Sequence, residues 1–361
     1  MRFHAIALAT LTAFTAACSK GGDTAKGDST LSNSSGVDLN GAGATFPYPI
    51  YSKWFSEYAT ATGVKINYQS KGSGAGIKQL QEGIVDFGAS DSPMTDDEIS
   101  KAKHGKVLHF PTVLGAVVVT YNLPGVTTPL RLNGQVIADI FKGTIKKWND
   151  ARIAALNPSV KLPATDILVV HRADGSGTTF IFTDYLNSAS TTWATTAGGP
   201  GKGKEVQWPV GLGGQGNEGV SGQVKQTPGS IGYTELAYAK QNQLPVAHIQ
   251  NKAGEFVEPT IASITAAAEG IVATLGPDPD YRISIANGPG AGAYPISSMT
   301  WLLVYQNSPD AAKAKKLVDF MRWMYATGEQ SAASLDYAPL PAALVQRLTE
   351  RLGAINLNAT P

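Results

Sequence analysis

A glycine-rich loop near the middle of the chain restricts the fold more than any other stretch of this sequence. The apolar residues 167–170 predict a strand, residues 172–179 contain the loop, and residues 180–186 have the composition of a helix. A strand that leads through such a loop into a helix is the repeating unit of α/β proteins. The junction directs backbone N–H groups and the positive end of the helix dipole at one point, where an anion can bind.

Three side chains of this loop suit an oxyanion. Ser176 and Thr178 carry hydroxyl donors, and Arg172 carries a planar guanidinium. Two other interpretations stay open for the segment taken alone: an ordinary turn, and a serine nucleophile. The nucleophile is disfavoured because the Gly-Ser-Gly spacing is not that of a nucleophile elbow and His171 is poorly placed as a base.

Similar glycine loops occur nearer the N-terminus. Residues 41–47 lead into a stretch with apolar residues at helical spacing, which places Thr45 and Phe46 at a helix N-terminus. The predicted strand 64–68 runs into a glycine turn in which Ser73 is the hydroxyl donor. For Thr45 and Ser73 the competing interpretation is an ordinary helix cap.

A carboxylate ends the short predicted strand at residues 85–91. Residues 95–98 then form a capping box, so Asp91 lies at a strand end beside loops rich in anion donors. Asp91 is either a solvated or capping acid, or an acceptor for a proton that the ligand carries.

The rest of the pattern predicts an α/β fold with a parallel sheet. Residues 113–121 and 299–305 are nearly continuous apolar runs, typical of strands buried on both faces. Helices are predicted over residues 136–140, 145–148, 261–275, 310–325 and 342–352.

No other stretch carries a strong cofactor motif. Residues 211–216 match the pattern G-x-G-x-x-G, but Pro209 interrupts the strand that should precede it, so we interpret them as a structural loop near a cleft. There is no Walker A sequence, and the five histidines lack metal-ligand spacing. We therefore expect neither a metal nor a cofactor.

The N-terminal residues indicate export. Residues 1–17 read as a secretory signal, and Cys18, the only cysteine, follows its small residues as in a bacterial lipobox. Because Thr15 stands where the lipobox has Leu, cleavage by the ordinary signal peptidase is the alternative. Residues 18–36 are then a lipid-anchored flexible tether, spanning about 23 Å root-mean-square after the cysteine.

The charge of the mature chain is balanced. The signal removes one basic residue, Arg2, and no acid, which leaves 28 basic residues against 28 acidic ones. Nothing in this balance suggests a nucleic-acid partner. An anion site in such a protein must be local, built from dipoles and one or two cations.

Six blocks, taken in order, resemble the periplasmic phosphate-binding proteins that supply bacterial phosphate ABC importers. They are residues 41–47, 86–91, 172–178, 212–219, 229–233 and 335–341. The resemblance implies a type II-like fold of two lobes, each a mostly parallel sheet flanked by helices, with the ligand cleft between them. It also implies that lobe 1 comprises residues 37–117 and 301–361, and lobe 2 residues 118–300.

The phosphate ligands of that family carry over onto eight residues, which are Thr45, Phe46, Ser73, Asp91, Arg172, Ser176, Gly177 and Thr178. By the same resemblance Asp174 pairs with Arg172 and fixes its orientation. Asp91 would accept a hydrogen bond from protonated phosphate, which sulfate cannot offer.

The resemblance implies a non-enzymatic, monomeric binding protein that delivers inorganic phosphate to membrane permease subunits. It would act in the periplasm or on the outer face of the cytoplasmic membrane, held through Cys18. Three alternatives stay open: an exported phosphatase, which needs a metal cluster or an activated nucleophile, an adhesion or phosphate-sensing protein, and a receptor for another tetrahedral oxyanion.

Overall fold

The structure of the chain is a computed structural model that describes residues 39–272, 275–276 and 280–358. The predicted signal, Cys18 and the tether lie outside these described residues. The strands are β1 Leu39–Gly43, β2 Ile66–Ser70, β3 Phe87–Ser90, β4 Val107–Tyr121, β5 Arg131–Leu132, β6 Leu168–Arg172, β7 Leu212–Gly214, β8 Ser230–Glu235, β9 His248–Gln250, β10 Phe256–Val257 and β11 Ser297–Tyr305. The helices are α1 Tyr48–Thr62, α2 Ser73–Gln81, α3 Asp96–Ser100, α4 Gly134–Phe141, α5 Ala151–Leu156, α6 Gly177–Ala189, α7 Gly216–Gln226, α8 Leu236–Gln241, α9 Ile261–Val272, α10 Ala311–Ala326 and α11 Ala342–Arg351.

Eight strands form one sheet in the order β2-β1-β3-β11-β4-β8-β6-β7. At one end β1 pairs in parallel with β2 and β3, and at the other end β6 pairs in parallel with β7 and β8. The two central strands, β4 and β11, run antiparallel to their neighbours. We call the part built on β1–β3 lobe 1 and the part built on β6–β8 lobe 2. The fold is therefore the two-lobed α/β arrangement that was expected.

Strand β4 belongs to both lobes. Residues 107–116 pair with β11, whereas residues 117–121 pair with β8. All 15 residues of β4 are buried. The continuous apolar pattern predicted this for residues 113–121, and the strand begins six residues earlier. The expected lobe boundaries, 117/118 and 300/301, fall inside β4 and β11 and stay a prediction.

Helix α1 shows how local sequence sets the elements of lobe 1. Pro49 occupies its first turn, and Gly63 ends it at φ 77°, a left-handed conformation that favours glycine. The residues at helical spacing form its buried face, and Phe55 packs on Phe320 of α10 with ring centroids 5.3 Å apart. This is the helix that the pattern predicted.

Two sequence interpretations of local structure are wrong. Residues 145–148 are not a helix: Lys147 forms an antiparallel bridge with Asp166, and Trp148 Nε1 donates to the carbonyl of Gly229 at 2.9 Å. The apolar side chains there are buried by tertiary packing, without helical periodicity. Residues 211–216 are not merely a loop, because they contain the edge strand β7, which pairs with β6, and the first residue of α7.

Candidate functional site

Loops at the carboxyl ends of the parallel strands bring together residues from both lobes. Because β8 runs opposite to β3, the carboxyl ends of the two sets of strands face each other beside residues 111–117 of β4. The carboxyl ends of the strands are where open α/β sheets bind their ligands. Lobe 1 contributes Thr45, Phe46, Ser73 and Asp91, and lobe 2 contributes Arg172, Ser176, Gly177 and Thr178. Apart from Gly177, which is also buried, each of these residues is at most 3% exposed. The cluster is therefore shielded from bulk water, where directed hydrogen bonds are strongest.

Ser73 joins the two lobes at the centre of this cluster. Its Oγ accepts hydrogen bonds from the backbone N–H of Gly177 at 3.0 Å and of Asp91 at 3.2 Å. The N–H of Gly74 donates to the carbonyl of Gly175 at 2.7 Å. A Cβ atom on Gly177 would lie 2.5 Å from both Ser73 Oγ and Asp91 Oδ2. This approach of the lobes therefore requires glycine at residue 177.

Arg172 is held rigidly by its neighbours in lobe 2. Its Nε donates to Asp174 Oδ1 at 2.7 Å, its Nη2 donates to Asp174 Oδ2, and its Nη1 donates to Thr178 Oγ1 at 3.2 Å. Of the five guanidinium N–H groups, one on Nη1 and one on Nη2 have no partner in the described part of the chain. Because Asp174 balances the charge of Arg172, these directed N–H groups matter more than net charge for an anion.

The N-terminus of α6 adds donors from the backbone. Ser176 caps this helix, with its Oγ accepting from the N–H of Thr179 at 3.0 Å. Gly177 and Thr178 are the first two residues of α6, so the helix itself supplies no carbonyl for their N–H groups. The hydroxyl proton of Ser176 stays a donor, because the cap uses only an oxygen lone pair.

Two tyrosines fix the loop that precedes α1. Tyr238 OH donates to the carbonyl of Thr45 at 2.6 Å, and Tyr337 OH donates to the carbonyl of Phe46 at 2.6 Å. The Phe46 ring is fully buried against Tyr337, with ring centroids 6.3 Å apart. Phe46 can therefore offer an anion only its backbone N–H.

Asp91 is the acceptor within this set of donors. Its Oδ1 accepts from Thr300 Oγ1 at 2.7 Å. Burial raises the pKa of Asp91 to about 7, although the hydrogen bond from Thr300 and the charge of Arg172 act in the opposite direction. With a pKa near 7, Asp91 can act in either protonation state at neutral pH. The carboxylate accepts a hydrogen bond from a protonated anion, and the carboxylic acid donates one to an unprotonated anion.

Asn217, the second residue of α7, was missed by the sequence analysis. Its Nδ2 donates to Thr45 Oγ1 at 2.8 Å and to Thr178 Oγ1 at 3.1 Å. Asn217 lies in the block 212–219, one of the six that carry the family resemblance, and Tyr337 lies in the block 335–341. The family resemblance of these blocks could have pointed to Asn217 and Tyr337, but no local pattern predicted a role for either residue.

An ion pair links the lobes beside the cluster. Lys204 Nζ of lobe 2 lies 2.6 Å from Glu98 Oε1 of lobe 1, whereas Lys202 pairs with Asp184 inside lobe 2 at 2.8 Å. Lys202 and Lys204 line a surface groove of about 640 Å³ that also includes Ser92, which follows Asp91. The groove lies next to the buried cluster and shares none of the eight predicted residues.

Among the described residues, no group of three or more His, Cys, Asp and Glu is placed to hold a metal ion. Within that same part of the chain, no helix combines the length and the apolar character needed to span a membrane. His171, the candidate base for Ser176, stacks on Trp208 with ring centroids 4.9 Å apart, and its Nδ1 lies 3.0 Å from the carbonyl of Arg172.

Comparison with known proteins gives consistent matches. Residues 21–327 match the family model of a PBP superfamily domain. The phosphate-binding protein PstS of Xylella fastidiosa is 46% identical over 313 residues, which cover 86% of this chain and 84% of the relative. The protein of the same name from Pasteurella multocida is 46% identical over 311 residues, covering 86% and 88%. The protein of the same name from Methanocaldococcus jannaschii is 42% identical over 315 residues, covering 81% and 80%.

Solved structures share the fold. The ancestral soluble variant of the human phosphate-binding protein superposes with a TM-score of 0.71 at 22% identity, covering 90% of this chain and 98% of that one. A high-affinity periplasmic phosphate-binding protein solved with phosphate at pH 8.5 gives a TM-score of 0.67 at 23% identity, covering 87% and 93%. At these identities the likeness concerns the fold alone.

Proposed function

The chain belongs to the PstS family of phosphate-binding proteins within the PBP superfamily, and we propose that it binds inorganic phosphate for an ABC importer. One observation of the structure carries the proposal. Seven of the eight predicted residues, from two lobes and far apart in sequence, lie together as donors around the buried carboxyl group of the eighth, Asp91. A hydrogen phosphate ion needs this combination, since it has four oxygens to accept hydrogen bonds and a proton to donate.

We assign each group a part in binding. The hydroxyls of Thr45, Ser73, Ser176 and Thr178, the backbone N–H groups of Thr45, Phe46 and Thr178, and the two unpartnered N–H groups of Arg172 donate to phosphate. Asp91 accepts its proton. The N–H of Gly177 donates to Ser73 Oγ in the structure, so it turns to phosphate only when that bond breaks.

The number of donors suffices for tight binding. Micromolar affinity corresponds to about 8 kcal/mol. Hydrogen bonds to a charged group contribute about 1.5–3 kcal/mol each before the loss of conformational freedom is subtracted. Donors from both lobes can therefore supply micromolar affinity without any net positive charge on the protein.

We propose that closure of the lobes delivers phosphate to the permease subunits. The hinge lies where β4 and β11 cross between the lobes, at the boundaries 117/118 and 300/301 predicted above. A closed, phosphate-loaded shape would be recognised by the permease, and opening would release the ion. The protein would act as a monomer.

The proposed role is non-enzymatic. The exported phosphatase is the rival with the same ligand chemistry, and it would need an activated nucleophile or a metal cluster. Incubation with a chromogenic phosphate ester, with and without divalent metal, separates the two. We expect no release of the chromophore beyond the buffer rate, and turnover that Arg172→Ala abolishes would favour the phosphatase.

We also propose export and lipid anchoring through Cys18, after removal of residues 1–17. Metabolic labelling with a radioactive fatty acid tests this. We expect the wild-type protein to carry the label and Cys18→Ala to lack it. An unlabelled wild-type protein whose mature N-terminus begins elsewhere would replace the anchor with ordinary signal cleavage.

Calorimetric titration of the purified protein tests the binding function. The protein is first freed of bound ligand, and phosphate and then sulfate are added. At pH 8 we expect one-to-one binding of phosphate at micromolar affinity or tighter, with no heat from sulfate. A folded protein that binds no phosphate would overturn the proposal, and one that binds sulfate equally well would make it a general oxyanion receptor.

A further inference from the structure

We infer that Asn217 is a positioning residue that turns the hydroxyls of Thr45 and Thr178 into obligate hydrogen-bond donors toward the anion. The inference rests on the proposed function, since the anion in question is phosphate. Asn217 itself is fully buried and has no N–H left for the ligand. It would therefore act through the two threonines that it contacts.

The hydrogen bonds that Thr45 Oγ1 accepts leave its hydroxyl group able only to donate. A hydroxyl oxygen accepts two hydrogen bonds and donates one. Thr45 Oγ1 accepts from the backbone N–H of Asn217 at 3.2 Å and from its Nδ2 at 2.8 Å. Both acceptor positions are filled by groups that can only donate, so the hydroxyl proton of Thr45 must point elsewhere.

Thr178, on the other lobe, also has both acceptor positions of its hydroxyl oxygen filled. Its Oγ1 accepts from Arg172 Nη1 at 3.2 Å and from Asn217 Nδ2 at 3.1 Å. Neither the guanidinium nor the amide nitrogen can accept a hydrogen bond. The hydroxyl proton of Thr178 is thus also reserved for an acceptor, and phosphate oxygens are acceptors of the required kind.

The orientation of the Asn217 amide is fixed by its other end. Its Oδ1 accepts from the backbone N–H of Glu235 at 3.1 Å and from Thr234 Oγ1 at 3.1 Å. Because a backbone N–H can only donate, the group that faces Glu235 must be the oxygen, and the NH₂ group must face the threonines. Bonds from the strand β8 thus set the direction of both threonine hydroxyls.

The arrangement also couples donor orientation to lobe closure. Asn217 and Thr178 belong to lobe 2, whereas Thr45 belongs to lobe 1. When the lobes separate, Thr45 loses both bonds from Asn217 and its hydroxyl is free to rotate or to donate to water. The complete set of oriented donors therefore exists only in the closed form, which would favour closure around an acceptor-rich ion.

Asn217→Asp is the sharpest test, because it keeps the shape and the acceptor that faces Glu235 but loses the NH₂ donor. The threonine hydroxyls would then donate to the new carboxylate instead of phosphate. We expect calorimetry at pH 8 to give phosphate affinity at least 100-fold weaker than wild type. The buried Asn157, whose amide bonds Arg131 and Ile153 elsewhere in lobe 2, supplies the control Asn157→Asp, which should keep wild-type affinity.

The pH profile separates positioning from structural damage. Acid protonates the introduced carboxylate and restores one donor, so the deficit of Asn217→Asp relative to wild type should shrink about tenfold between pH 8 and pH 5.5. If this variant does not fold, a mutant cycle replaces it, in which Asn217→Ala is compared in the wild-type protein and in a protein that carries both Thr45→Val and Thr178→Val. We then expect Asn217→Ala to weaken phosphate binding at least tenfold in the wild-type background and less than threefold when both threonines are valine.

Distinct results would overturn the inference. Near-wild-type affinity of Asn217→Asp, a deficit that does not change with pH, or additive effects in the cycle would each remove the positioning role while phosphate binding by wild type stands. A wild-type protein that binds no phosphate would overturn the proposed function together with this inference.

Discussion

The two lobes contribute different chemistry to the site. Lobe 2 supplies the cation, Arg172, already paired with Asp174, together with the N-terminus of α6. Lobe 1 supplies hydroxyl and backbone donors together with the carboxyl group of Asp91, and its four predicted site residues include no cation. The difference suggests a division of tasks, in which lobe 2 attracts an anion and lobe 1 selects which anion it closes on.

The different surroundings of Asp174 and Asp91 explain this division of tasks. Asp174 forms a bidentate pair with Arg172 and also accepts from the N–H of Gly216 at 3.1 Å, which commits it to holding the guanidinium. Among the described residues no cation forms an ion pair with Asp91, and burial raises its pKa to about 7. A carboxyl group with a pKa near 7 can discriminate between protonated and unprotonated ligands, because it can accept or donate a hydrogen bond. A carboxylate that is ion-paired with an arginine cannot do this.

Removal of the cation of lobe 2 should weaken phosphate binding more than any other single change to the site. Arg172→Ala deletes the two available guanidinium donors, so we expect phosphate affinity to fall by about 10²–10⁴-fold, corresponding to about 3–6 kcal/mol. Calorimetry measures the loss. Arg322→Ala, which removes an exposed arginine of α10, is the matched control and should bind like wild type. If the phosphate affinity of Arg172→Ala stayed within tenfold of that of the wild-type protein, the backbone and helix dipoles alone would attract the anion.

A methyl group at the contact of the lobes should have the next largest effect. In Gly177→Ala the new Cβ would press on Ser73 Oγ and Asp91 Oδ2, and overpacking of this kind destabilises by about 1–3 kcal/mol. We expect phosphate affinity to fall about 10- to 100-fold because full closure is prevented. Gly222→Ala, in open space on α7, is the control. Unchanged affinity of Gly177→Ala would show that tight contact of the lobes is unnecessary.

Neutralising the acid of lobe 1 should change selectivity more than affinity. Asp91→Asn removes the acceptor for the phosphate proton and the repulsion of sulfate. We expect sulfate affinity to rise about tenfold or more while phosphate affinity falls by less. Competition titrations measure both, with the exposed Asp97→Asn as control. Sulfate rejection that persists in Asp91→Asn would remove this residue from the selectivity mechanism.

The raised pKa of Asp91 predicts a pH-dependent selectivity in the wild-type protein. Below about pH 7 Asp91 is mostly protonated and can donate to sulfate; above that pH it is charged and repels it. Sulfate affinity should therefore be level in acid and fall toward tenfold per pH unit in alkali. In Asp91→Asn the same titration should be flat. A flat profile in the wild-type protein would mean that Asp91 is charged throughout.

The ion pair at the edge of the cleft should have the smallest effect. Lys204→Met removes the bond to Glu98 between the lobes, and partly exposed pairs contribute about 0.2–1 kcal/mol. We expect phosphate dissociation to become up to about fivefold faster in stopped-flow measurements at low salt. Lys202→Met, which breaks a pair inside lobe 2, should leave the rate unchanged. Equal rates for the two variants would remove the pair from the energetics of closure.

Much of the fold could be predicted from local sequence. The strand before the loop at 172–179, the helix after it and the capping box at Thr95 all occur where the pattern placed them. The helix predicted at residues 145–148 shows the limit of local patterns. Residues 145–148 carry apolar side chains because the core requires them, and a short apolar stretch does not distinguish a helix from a buried turn.

The sequence by itself determined which chemical groups stand at the strand–helix junctions, because turn residues, caps and hydrophobic periodicity act over a few neighbouring positions. Only the tertiary structure decided how those groups meet. Asn217 bonds Thr45 across 172 positions of the chain, and Gly177 bonds Ser73 across 104. The burial that raises the pKa of Asp91 likewise needs both lobes to exclude water. Such contacts depend on how whole elements pack, and no local pattern encodes that packing.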